Sequence, residues 1–137
     1  MAALAAVCNA VRQMLPCDRA QVWRGDVHQM TMYTLTSSGY SDDDAIRLAT
    51  LKPPMAAMPL EGDLIAAKYL EVRDTSVVTG LGPLLFQSFG IQQVVFLLLE
   101  RADRVLGALQ LSWCSSAPAR FAPYRTASFR CALISST

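Results

Sequence analysis

The stretch Val94-Val95-Phe96-Leu97-Leu98-Leu99, the polar loop Arg101-Ala102-Asp103-Arg104, and the run Val105 to Cys114 decide the fold. Six consecutive apolar residues are too few for a membrane span and fit an inner strand that is apolar on both faces. This four-residue polar loop predicts a hairpin. In the second strand, side chains alternate between faces with a period of two. Val105, Leu109, Leu111 and Trp113 point one way, and Ala108, Gln110, Ser112 and Cys114 the other. One face is bulky and apolar; the other is small and polar.

Downstream, Pro118 and Pro123 mark a loop and a helix start, with Phe129, Leu133 and Ile134 on a final amphipathic helix. Upstream, Gly80, Gly82 and Pro83 open a helix from about Leu84 to Phe89, which Gly90 closes in the left-handed conformation. Between Met55 and Asp74 the pattern is weakest. Leu64, Ile65, Tyr69 and Leu70 suggest a helical turn, and Glu71-Val72-Arg73 a brief strand stopping at Asp74. Lys52-Pro53-Pro54 ends a short helix that Ser41 caps and that Asp42, Asp43 and Asp44 favour at its positive pole.

Ala20 to Arg24 and Met30 to Ser37 read as a strand pair about a Gly25-Asp26 turn. Leu4, Val7, Cys8, Val11, Met14 and Leu15 form one stripe of an opening helix that Pro16 ends. The order of elements predicts an α+β domain: a central antiparallel sheet of five or six strands with helices on both faces.

A chain of 137 residues fits one domain, residues 1–137, with its terminal helices as connectors to other domains. Its 53% apolar and 17% charged content predicts a folded core. Twelve basic and 11 acidic side chains leave a formal charge of +1, and no basic stripe follows from the sequence, so no nucleic-acid partner is expected. Met1 to Cys8 lacks the basic n-region of an export signal. Cys8, Cys17, Cys114 and Cys131 show no C-x-x-C spacing. Together these predict a cytoplasmic domain without membrane insertion and with reduced thiols.

The order and spacing of several segments resemble the GAF family. They are Asp18-Arg19-Ala20-Gln21-Val22-Trp23, Val72-Arg73-Asp74, Phe89-Gly90-Ile91-Gln92-Gln93-Val94-Val95 and Arg104 to Leu111, which together extend over nearly the whole chain. Gly107 to Trp113 and Pro118 to Arg125 look closest to phytochrome-like members. That likeness raises a bilin, but Gly82 to Phe89 holds no cysteine for its attachment. Ser112 and Trp113 stand where phytochromes place histidines, and Met55-Ala56-Ala57 replaces their Asp-Ile-Pro. The dispersed asparagine-containing signature of cyclic-nucleotide-binding members is missing, Asn9 being the only asparagine. His28, the only histidine, falls in a turn, which argues against a haem ligand. No cofactor is therefore expected.

The resemblance implies a ligand space between the sheet and the irregular segment. Phe96, Leu98, Gln110 and Ser112 would line it from the even-numbered face, beside Val94, and Met55, Met58 and Tyr69 from the opposite wall. The competing reading is that Phe96, Leu98 and the methionines fill a core. Gln110 and Ser112 discriminate more sharply, because a buried amide or hydroxyl without a partner costs roughly 1–3 kcal/mol. Asp74 either orients a ligand or caps the Thr75-Ser76 turn. No nucleophile lies in a motif with a histidine base, and no cysteine falls in the irregular segment, where the GAF members that reduce free methionine sulfoxide carry theirs.

The expected function is thus a non-catalytic small-molecule sensor of a larger signalling protein, with an effector in the pocket and an attached output domain. The alternative is a ligand-free module that dimerises through its terminal helices and transmits signals mechanically.

Overall fold

The computed structural model describes residues 2–55, 67–78, 80–102 and 104–114. Met58, Leu64, Ile65, Cys131 and the expected final helix lie outside them. Five strands form one antiparallel sheet in the order β2-β1-β5-β4-β3: β1 (Arg19–Asp26), β2 (Thr31–Ser38), β3 (Tyr69–Val72), β4 (Gln93–Arg101) and β5 (Arg104–Trp113). Helix α1 (Ala2–Met14) covers one face, and α2 (Asp42–Thr50) with the short α3 (Gly82–Leu85) the other. The α+β architecture expected from the sequence is the one observed.

The α1 face is a mainly hydrocarbon core that also buries the Cys8 and Cys17 thiols and the Gln93 amide. Val7, Cys8, Val11 and Leu15 from the helix side meet Val22, Val95, Leu97, Leu99, Leu109, Leu111 and Trp113 from the sheet. Ala-rich sequence supports the helix, and Pro16 ends it after Leu15 N–H closes the last turn on Val11 O. The Trp113 indole N–H then donates to Pro16 O at 2.9 Å, fastening that end to β5. This packing changes one expectation. The apolar stripe proposed as a dimer seam is spent on the domain's own sheet, and of its described side chains only Met14 is exposed.

On the other face, Ser41 Oγ accepts from Asp44 N–H to cap α2. The helix expected over Leu84–Phe89 is instead α3 followed by a 3-10 turn at Gln87–Phe89, because Pro83 starts the helix early. Gly90 closes it at φ 72, where a side chain would be strained.

Three local readings are corrected. β1 runs through Gly25 and Asp26, and the turn is Val27–Met30, held by Asp26 Oδ1 accepting from the His28 and Gln29 amides. Tyr69 and Leu70 belong to β3, paired with Leu97 and Phe96, not to a helical turn. Val105 is exposed rather than on the Leu109 face. Between Leu99↔Gly107 and Glu100↔Val105 the ladder shifts by one residue, so Leu106 takes the place against the α1 core.

Candidate functional site

The sheet face under α2 and α3 carries Gln21 and Trp23 from β1, Val94, Phe96 and Leu98 from β4, and Ala108, Gln110 and Ser112 from β5. Its apolar part, Trp23, Val94, Phe96 and Ala108, packs with Leu48, Leu85, Phe86, Phe89 and Ile91, and with Leu70 and Leu98 at the margin. Beside it runs a row of mutually hydrogen-bonded polar side chains, whereas on the α1 face the fully buried polar side chain among the described residues is Gln93, opposite Trp113. Gln21, Gln110 and Ser112 are 1%, 1% and 0% exposed.

Their hydrogen bonds form one directed chain. Indole N–H is only a donor, so Trp23 Nε1, 2.8 Å from Gln110 Oε1, fixes the orientation of that amide. Gln110 Nε2 then donates to Ser112 Oγ at 3.0 Å. Ser112 is hydrogen-bonded to the Tyr40 phenol, whose own O–H donates to Gln21 Oε1. Gln21 Nε2 ends the chain on Thr34 Oγ1 at 3.2 Å. In a low-dielectric interior such bonds polarise one another, and breaking one link leaves polar atoms unsatisfied.

A cationic latch closes the Ser112 end. The Arg19 guanidinium lies 4.9 Å from the Tyr40 ring centroid, donates to Phe89 O and stands 3.8 Å from Asp44 Oδ2. Tyr40 meets Phe89 edge-on at 6.0 Å, and Arg47 stacks on the other ring at 4.3 Å while bonding Asp44 at 2.8 Å. That bond to Arg47 holds the Asp44 carboxyl below the usual carboxylate range. Burial pushes the Tyr40 phenol up, against the lowering by Arg19 and Ser112.

Of the residues singled out from the sequence, Phe96, Leu98, Gln110 and Ser112 share this face. Met55 joins its margin, where its methyl would lie 2.4 Å from a Cβ on Gly25, with Met32 sulfur nearby at 3.6 Å. Tyr69 does not: it packs against the α1 core on the opposite face. Met58 is outside the described residues. Gln21, Trp23, Tyr40 and Arg19 escaped the sequence reading, although Gln21 and Trp23 repeat the two-residue spacing of Gln110 and Ser112.

Asp74 caps its turn, accepting from Ser76 N–H at 3.0 Å and Ser76 Oγ at 2.6 Å, which lowers its pKa. It lines an open cleft of about 520 Å³ with Arg73, Ser76, Gln87, Gly90 and Gln92, away from the polar chain. Burial pushes the Cys8 and Cys17 thiols up to about 11 and also raises Cys114, which makes all three weak nucleophiles at neutral pH. His28 is exposed in the β1–β2 turn.

No protein-family model and no curated protein matches the chain by sequence. Solved structures match throughout its length. The GAF domain/HD domain protein of Geobacter sulfurreducens superposes with a TM-score of 0.71 at 15% identity, over 98% of this chain and 90% of that one. This chain has the GAF fold. The GAF domain of a Coxiella burnetii phosphoenolpyruvate-protein phosphotransferase matches at TM-score 0.68 and 11% identity, over 97% and 77%. The chromophore-binding domain of an R. palustris bacteriophytochrome matches at TM-score 0.66 and 12% identity, over 98% of this GAF-fold chain and 51% of that domain's solved chain. Among the described residues no helix is long and apolar enough to cross a membrane.

Proposed function

We propose that this GAF-fold domain is a non-catalytic sensor of a small, largely apolar molecule, acting on an output domain of a larger signalling protein. The difference between its two sheet faces carries the reading. Under α1 the core is mainly hydrocarbon, with the Gln93 amide buried at the Trp113 end of the sheet and Glu71 half-buried on β3. Under α2 and α3 an apolar floor adjoins oriented amides and hydroxyls, the mixture that small-molecule sites use for affinity and orientation. A ligand that replaces one link of the polar chain disturbs Tyr40, and through it the Arg19–Asp44 contact to α2. That gives occupancy a mechanical consequence, since a ligand acts by favouring one of two arrangements. The similar structures include one named as chromophore-binding. Weakly nucleophilic thiols and an isolated surface histidine support a role without catalysis.

Thermal-shift screening against a metabolite collection tests the proposal. A compound near 100 times its Kd raises stability by about 2.7 kcal/mol, enough to move the melting midpoint by several degrees. The shift disappears in Gln110→Leu if the polar chain forms the site. A collection that never moves the midpoint contradicts the proposal.

A further inference from the structure

The β1–β2 and β4–β5 hairpins end on the same side of the sheet, because β1 and β5 are neighbours and pair up to Trp23↔Ala108 just before both turn. Three of the seven exposed large hydrophobic side chains among the described residues cluster there: Val27 at 71%, Met30 at 61% and Val105 at 53% exposure. Cations cross the same end from edge to edge. Lys52 precedes the segment bridging β2 at Thr31, Arg24 lies against Gly107, Arg104 and Arg101 flank the second turn, and Lys68 adjoins β3. The described carboxylates at this end are Asp26, committed to the turn amides, and Glu100, 3.0 Å from Lys68 Nζ. Even with Asp103 counted from the sequence, five cations face three carboxylates.

We propose that this end of the domain docks peripherally on an anionic lipid surface, with Val27, Met30 and Val105 entering the headgroup boundary and the cations meeting lipid phosphate and carboxylate. Aliphatic tips flanked by arginine suit that boundary, where apolar burial and attraction to anionic lipid add. They suit single-stranded nucleic acid poorly, since base recognition relies on aromatic stacking.

Co-sedimentation of the 137-residue protein with phosphatidylcholine vesicles, with and without phosphatidylserine, tests the proposal. The protein is expected to pellet with the phosphatidylserine vesicles, less so as salt is added, and about fivefold less for each of Arg24→Ser and Arg104→Ser. Val27→Asp with Val105→Asp abolishes pelleting while circular dichroism shows the fold intact. Ile46→Asp, at an exposed position on α2, leaves it unchanged. Absent or charge-independent pelleting overturns the proposal, as does insensitivity to the Val27 and Val105 changes or equal loss in Ile46→Asp. Preferential binding to a short RNA that survives the valine changes overturns it in favour of nucleic acid.

Discussion

Trp23 and Gln110, on the adjacent strands β1 and β5, share a buried hydrogen bond of 2.8 Å in which the indole N–H donates to the amide oxygen. The bond orients the amide and so sets the direction of every later link to Thr34. Gln110→Leu keeps the volume and removes the acceptor, stranding the buried Trp23 N–H and taking one donor from Ser112 Oγ. Urea denaturation should show a loss of about 1–3 kcal/mol, with altered Trp23 emission in the folded state.

Tyr40→Phe keeps the ring under Arg19 and against Phe89 but deletes the hydroxyl between Ser112 and Gln21. The fold persists and stability falls by about 1–2 kcal/mol, measured by thermal unfolding. Hydrogen exchange at the α2 amides should speed up, because the link from the polar chain to the α2 contact weakens. Unchanged exchange in α2 would show that Tyr40 does not couple the two.

Gly107 passes so close to β1 that a Cβ there would lie 2.1 Å from Trp23 O, at a backbone φ of 155. Backbone cannot move aside as a flexible side chain does. Gly107→Ala should lower stability by about 1–3 kcal/mol. Val105→Thr, two residues away on an exposed position, should stay within about 0.5 kcal/mol of the parent by the same denaturation measurement.

Cys8 and Cys17 favour their neutral forms in the folded protein, with pKa values raised from 9.0 to about 11 chiefly by burial. Their contribution is complete below pH 9, where neither state ionises. Between pH 9 and 11 the unfolded chain releases protons that the folded one retains, so stability falls as pH rises. The Tyr40 phenol, raised in the same sense, extends the fall at the alkaline end. Denaturation midpoints measured from pH 8 to 11 should decline, and less steeply in the Cys8→Ala, Cys17→Ala double variant.

The alternation in β5 made the partition of Leu109, Leu111 and Trp113 from Gln110 and Ser112 readable from residues alone. It failed where period two itself fails: the one-residue shift opposite Leu99 sends Val105 to solvent and Leu106 inward. Tyr69 was misplaced for a related reason, since helical and strand readings of so short a segment put it on different faces. An apolar helix stripe says that something covers it, not what, and α1 found its own sheet. Arg19 and Tyr40 meet only after β1, the β2–α2 connection and the Phe89 turn fold together, so no local pattern announces them. The basic hairpin end was hidden likewise, its cations contributed singly by separate strands and loops.

The central claim is that the polar chain from Trp23 to Thr34 serves a small-molecule ligand and not only a core. Native mass spectrometry of the protein purified without denaturant tests this most directly. A discrete small-molecule adduct that is released on denaturation, and lost from Gln110→Leu while that variant remains folded, is the predicted result. A spectrum showing polypeptide mass alone, or an adduct retained equally by Gln110→Leu, would contradict it.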